Sequence, residues 1–285
     1  MLIAGPTASG KSALALEKAR ALDGVIVNAD SMQVYDTLSI VTARPQADEL
    51  ALAEHRLYGF VPAATRFSTG GWLGAVAELM ADPALLGRPL IFAGGTGLYF
   101  EALLNGVALV PEVPAEIVER IEAEIGDLDR EGRKALLAER DPAMVARLPE
   151  PDRQRLVRAL SVLEATGKSL ALWQDEGQAG LLDGFEVERL VLNPDREVLR
   201  ARIARRFAAM VDQGAVEEVA ALMVQNLDAS LPVMKAIGVR EIAAWQAGEM
   251  SREAAIERAV IGTQQYAKRQ RTWFRNRMGD WDWIS

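Results

Sequence analysis

The chain contains no cysteine and a single histidine, His55. The first absence excludes disulfides and thiolate metal sites, and the second leaves little scope for a zinc site built from imidazole. No run of about 18 apolar residues occurs, so no membrane span is expected. A phosphate-binding motif begins at residue 5, which leaves no room ahead of it for a signal peptide, and a cytoplasmic protein is expected. Net positive charge is lacking as well: 40 acids against 32 bases give −8, which argues against a generally basic nucleic-acid coat. Internal repeats and low-complexity tracts are also missing. The remaining profile of 285 residues, 50% hydrophobic and 25% charged, is ordinary for a globular protein of one large domain or two modest ones.

The motif is GPTASGKS, which fits G-x-x-x-x-G-K-[ST]. Its loop, Gly5, Pro6, Thr7, Ala8, Ser9 and Gly10, turns backbone N–H groups toward phosphate oxygens; Lys11 adds a point charge, and the Ser12 hydroxyl can bind Mg²⁺. Such a loop should follow a buried strand and open a helix whose N-terminus favours anions. MLIA before it reads as that strand, and SALALEKARAL after it has helical periodicity. A site for a diphosphate or triphosphate is expected.

Three further apolar runs read as buried parallel strands: GVIVNAD at 24–30, PLIFAGGTG at 89–97 and ERLVLNPD at 188–195. The stretch from about Pro111 to Asp183 has helical patterns and no convincing strand. The expected fold is therefore α/β, a phosphate-loop parallel sheet core like that of nucleoside-triphosphate hydrolases, formed by 1–110 and 184–285, with a helical insertion at 111–183. A helix beginning REVLRARIARRF is expected to close on Gly214, and a long final helix covers SREAAIERAVIGTQQYAKRQRTWFRNRM. Charge is sorted by region: Glu112–Glu131 carries eight acids and two bases, whereas Arg252–Arg277 carries seven bases and two acids. Arg155 and Arg158 add a smaller basic cluster at helical spacing, although a solvated helix face would look the same.

Open α/β sheets place their chemistry in the loops after the strands. Asp30 lies just past the second run, where it could face the phosphate loop or merely cap a turn. The next run ends in GGTGLY, without the acid of a Walker B strand, which weakens a reading as an ordinary motor ATPase.

GPTASGKS, DSMQVY, the TARP at Thr42–Pro45, GGTGLY at Gly94–Tyr99, QRLVRAL from Gln154 and AKRQRTW at Ala267–Trp273 occur together, in that order. In this the chain resembles the tRNA dimethylallyltransferases, from Gly5 to about Arg275. The resemblance implies transfer of a dimethylallyl group from dimethylallyl diphosphate to the exocyclic amine of the adenine on the 3′ side of the anticodon. It assigns Asp30 as general base, Thr96 to the reacting centre, and the loop Gly5–Ser12 with Arg206 to the diphosphate, with Mg²⁺ through Ser12. The adenine must leave its stack, and Ser31, Met32 and Gln33 beside Asp30 would read it. Gln154, Arg155, Leu156, Val157, Arg158, Lys235, Arg240, Lys268, Arg269, Gln270, Trp273 and Arg275 would contact the anticodon stem-loop, with Trp273 stacking on a base or packing in the core. A monomer is expected.

The chain departs from the family pattern at Gln264, Val239 and Gly70-Gly71, which puts RNA contacts and loop packing in doubt rather than the chemistry. Two other classes share features of the sequence. A small-molecule kinase would use the same loop with Arg202, Arg205 and Arg206 as phosphate clamps. A non-catalytic nucleic-acid binder would have a vestigial loop, against which the intact Lys11-Ser12 pair argues.

Overall fold

The computed structural model describes residues 1–108, 110–177 and 179–285. Its strands are β1 (Leu2–Ala4), β2 (Val25–Asn28), β3 (Glu54–Arg56), β4 (Leu90–Gly94), β5 (Arg189–Leu192) and β6 (Asp282–Ile284). Its helices are α1 (Lys11–Leu22), α2 (Ala47–Leu50), α3 (Thr69–Met80), α4 (Gly97–Asn105), α5 (Ala115–Ile125), α6 (Arg130–Arg140), α7 (Arg153–Thr166), α8 (Leu170–Asp175), α9 (Arg196–Met210), α10 (Val216–Met223), α11 (Val239–Gln246) and α12 (Arg252–Arg277). Two compact units result, Met1–Leu103 with Gly184–Ser285, and Leu104–Asp183.

The first unit carries one sheet ordered β3-β2-β4-β1-β5-β6, parallel at every pairing. Parallel strands covered on both faces need apolar side chains in both directions, which is why β1, β2, β4 and β5 are the four runs visible in the sequence. Ile3, Ile26, Ile91 and Leu190 from these strands pack with Ala15 and Ala19 of α1 into one core. The order matters for the site: the loops that leave β2, β4, β1 and β5 all emerge side by side at the carboxyl edge.

Two elements differ from the sequence reading. β3 and β6 are three-residue edge strands, EHR and DWI, too short and too polar to show a period. The helical stretch that begins with α9 does break where the sequence reading closes it: the chain kinks at Gly214, which sits at φ 107, a non-helical, left-handed conformation open to glycine, before α10 begins at Val216.

The second unit is helical. Ile121 and Ile125 of α5, Leu137 of α6, and Leu156, Val157 and Leu160 of α7 form its core. Asp152 caps α7 by accepting the Arg155 N–H at 2.9 Å. Local arginines absorb part of the acidic run: Arg140 pairs with Glu124 and Glu164, and Arg120 also reaches Glu164.

Candidate active site

β1 runs straight into the phosphate loop. Ala8 at φ 63 and Gly10 at φ 98 curl the backbone, and α1 then starts at Lys11 with first-turn N–H groups that have no intrahelical acceptor. Arg202 donates to the Ser9 carbonyl at 3.1 Å and Arg206 to the Thr7 hydroxyl, so α9 lies along the loop. Together Ser9 to Ala13 and Arg202, Arg205 and Arg206 line a cavity of about 670 Å³. This is a concave anion cradle with three guanidinium groups on one wall.

The loop after β2 brings the acid. Asn28, fully buried at the end of β2, accepts the Asp30 N–H at 2.9 Å and donates to the Asp30 and Leu57 carbonyls at 3.0 and 3.1 Å. Its own carbonyl accepts the indole N–H of Trp72 at 2.9 Å. Asp30 Oδ1 closes a turn on the Met32 N–H at 3.0 Å, and Oδ2 takes no hydrogen bond among the described residues. One oxygen of Asp30 thus caps the turn, and the other is left to meet a ligand.

The loop after β4 is tied to both neighbours. Thr96 Oγ1 accepts the Ser31 N–H at 2.9 Å and lies 3.2 Å from Ser31 Oγ, so its hydroxyl joins the β4 loop to the β2 loop instead of capping α4. Gln270 of α12 supplies the other tie. Its amide donates to the Gly95 carbonyl at 2.8 Å and accepts the Thr7 N–H at 2.9 Å, bracketing the β4 loop to the phosphate loop. Gly95 permits the approach: a Cβ there would lie 2.3 Å from Gln270 Nε2 and 3.2 Å from Asp30 Oδ2.

Electrostatics link these loops. Burial pushes the Lys11 ammonium down to about 8; the Asp30 charge opposes that shift and Arg206 adds to it. Burial likewise lowers Arg206, again opposed by Asp30. Burial raises the tyrosine hydroxyls of Tyr58, Tyr99 and Tyr266, and the Asp30 charge raises each further, so all three stay neutral. Among the described residues no cluster of three or more acids or histidines could hold a metal ion.

Of the residues expected at the RNA, Gln33 is held with both amide protons committed, to the Thr42 and Ala43 carbonyls at 2.9 and 2.8 Å, so only its Oε1 can address a ligand. Ser31 and Met32 are half-buried beside it. Lys235, Arg240, Lys268, Arg269 and Arg275 are exposed on the first unit. Gln154, Arg155 and Arg158 are exposed on the second, Arg155 in an ion pair with Asp152 at 3.3 Å. Trp273 is half-buried: it packs over Gly97 and also lines a groove with Lys268, Arg269 and Thr272.

Three expectations need correction. Leu156 and Val157 are core residues of the second unit, because the helix that presents Arg155 and Arg158 must turn its apolar face inward. Gln270, at 5% exposure, is spent on the two loops and cannot reach RNA. Sequence reasoning missed Asn28 altogether; a lone amide ending an otherwise apolar strand run was its only signal.

A parallel sheet with a phosphate loop after its inner strand and an acid after a nearby one defines a phosphate-loop enzyme. Residues 33–277 match the IPP transferase family and residues 1–60 match isopentenyl transferase. The chain belongs to the IPP transferase family. It is 52% identical to a tRNA dimethylallyltransferase of Chelativorans sp. (strain BNC1), over 99% of this chain and 97% of the relative. With that of Rhizobium johnstonii it shares 50% identity over 98% and 94%. Among solved structures, a eukaryotic dimethylallyltransferase acting on tRNA superposes with a TM-score of 0.78 at 26% identity, over 96% of this chain and 69% of that one. A Staphylococcus epidermidis tRNA isopentenylpyrophosphate transferase gives 0.67 at 31% identity, over 99% and 91%. No described helix is long and apolar enough to cross a membrane.

Proposed function

We propose that this enzyme transfers a dimethylallyl group from dimethylallyl diphosphate to the exocyclic amine of the adenine 3′-adjacent to the anticodon in tRNA, giving isopentenyladenosine and diphosphate. The observation that carries the reading is the locked junction of three loops: Thr96 and Gln270 tie the Asp30 loop, the GGT turn and the phosphate loop into one rigid site. An acid and an anion cradle are thereby fixed against each other, as a proton abstraction coupled to loss of diphosphate requires.

Adenine's exocyclic amine is a weak nucleophile because its lone pair is delocalised into the ring. Asp30 Oδ2 accepts the proton as the new C–N bond forms, and the allylic C–O bond of the donor breaks. The electron pair leaves with the diphosphate. Lys11, the free amides at the start of α1, and Arg206 offset the charge that develops there. Mg²⁺ would be held on the protein side by the Ser12 hydroxyl, exposed at the start of α1, a hard oxygen donor of the kind this ion takes. Bound there, it would supply further charge neutralisation to the leaving group. Gln33 Oε1, an acceptor by its fixed orientation, suits an amine rather than a carbonyl on the base edge. We place the reaction in the cytoplasm and the catalytic unit in the monomer.

Incubation with dimethylallyl diphosphate, Mg²⁺ and unmodified tRNA, followed by nucleoside mass analysis, tests the reading. Isopentenyladenosine formed without ATP is the expected product. Unmodified adenosine throughout, or phosphorylation of a small metabolite, would overturn it.

A further inference from the structure

Five cations outside the phosphate site share one concave face of the first unit. Arg196 and Arg200 of α9, with Lys268, Arg271 and Arg275 of α12, line a groove of about 560 Å³. The groove's floor is the apolar seam of the two helices, where Leu199 and Ile203 meet Ala267. Among the described residues, none of the five cations has an ion-pair partner.

A solvated helix face does not explain that pattern. Arg196 with Arg200 and Arg271 with Arg275 are like-charged pairs four residues apart, which oppose helix formation. Arg196 also stands at the first position of α9, where the helix dipole disfavours a cation. Arg271 titrates below its ordinary value, through burial and then the charges of Arg275 and Arg196, with only Asp195 opposing. In a protein whose net charge is −8, an uncompensated group of five is a cost that an incoming polyanion would remove.

The groove also differs in chemistry from its neighbour. The adjoining groove offers the face of Trp273. The α9–α12 groove has no aromatic side chain in its lining, so it can hold phosphates but cannot stack bases. Lys268 to Arg275 spans about 10 Å of helix, a length suited to successive phosphates and too long for one small anion. The two grooves share Gln265, Lys268 and Thr272, so they form one strip along α12.

We propose that the α9–α12 groove is a binding track for the phosphodiester backbone of the substrate RNA, with Arg196, Arg200 and Arg271 as contacts additional to the base-handling site. This rests on the reading of tRNA as substrate. Binding of tRNA measured over a series of salt concentrations tests it with three variants. Arg196→Gln and Arg200→Gln should each reduce the slope of log affinity against log salt by about 0.7 to 0.9. They should also raise the KM for tRNA while leaving kcat and the KM for dimethylallyl diphosphate unchanged. Gln264→Arg, which adds a sixth cation to the lining, should steepen the slope. Wild-type slopes and KM values in all three would overturn the proposal. So would inorganic diphosphate weakening tRNA binding in the wild type but not in Arg196→Gln or Arg200→Gln, since the groove would then serve a small anion. If the slopes fall as expected but no prenylated nucleoside forms, the track stands and the proposed chemistry fails.

Discussion

Gln270→Leu separates a structural bracket from an RNA contact at a single side chain. The substitution keeps the volume and removes both hydrogen bonds, leaving the Thr7 N–H and the Gly95 carbonyl without partners in a site where Gln270 is 5% exposed. An unsatisfied buried group costs about 1–3 kcal/mol. Two such groups, with some relief from entering water, should destabilise the fold by about 2–4 kcal/mol. The kinetic effect should exceed what that loss alone gives, because the GGT turn and the phosphate loop would no longer be fixed to each other. A displacement of 1 Å at a reacting centre costs on the order of a hundredfold in rate. Gln270→Glu is the sharper control: it keeps an acceptor for Thr7 but sets a carboxylate oxygen against the Gly95 carbonyl, near Asp30 Oδ2. It should therefore be at least as slow as the leucine variant. Urea unfolding and single-turnover transfer at saturating tRNA are the assays. A leucine variant with wild-type unfolding midpoint and wild-type single-turnover rate, impaired only in tRNA affinity, would refute the bracket and return Gln270 to the RNA surface.

Asp30→Asn keeps the Met32 turn, because an amide oxygen can still accept at Oδ1, yet it cannot take the proton; single-turnover transfer should fall by about a hundred- to ten-thousand-fold with donor affinity nearly unchanged. A variant with half the wild-type rate would exclude it as the base. Lys11 titrates at about 8 and binds the donor as the ammonium, so donor kcat/KM should decline as pH rises through that value. Asp30 supports the charge on Lys11, so the decline should begin at lower pH in Asp30→Asn; a profile flat between about pH 7 and 9 would count against both statements. Lys268→Gln and Arg158→Gln should each lower the salt slope of tRNA binding by about 0.7 to 0.9, and wild-type slopes would make them ordinary solvated side chains.

What the sequence made legible was whatever has a local pattern. The phosphate loop has a fixed spacing, the four inner strands have unbroken apolar runs, and α12 has a period long enough to be unmistakable. The acid at Asp30 and the threonine at Thr96 could be placed at strand ends by the same logic. What lay hidden depends on partners far away in the chain. Thr96 meets Ser31 across 65 residues, and Gln270 meets Gly95 across 175 and Thr7 across 263. No periodicity encodes such a pairing, and a glutamine on a basic helix looks like one more surface residue until the helix is packed. The same blindness affected Leu156 and Val157, whose neighbours are exposed arginines in a seven-residue motif. A motif is a string, whereas a helix shows its residues to two environments at once.

That distinction bears on how the site is built. The groups that would touch reactants, Asp30, Lys11 and the loop amides, come from segments that leave the sheet as turns, and a turn alone has little reason to hold position. Rigidity is imported by three polar side chains that tie these turns to one another. Asn28 fixes Asp30 from within its own strand, Thr96 carries that order to the next loop, and Gln270 closes the chain of bonds onto the phosphate loop. Each is at least half-buried and, apart from the contact of the Thr96 hydroxyl with Ser31 Oγ, spends its hydrogen-bonding groups on backbone, so each can be replaced only by a residue of like shape and like polarity. The helix that supplies the last bracket also carries Lys268, Arg271 and Arg275 on its outer face. RNA that settles on α12 therefore bears on the same helix that sets the phosphate loop against the GGT turn.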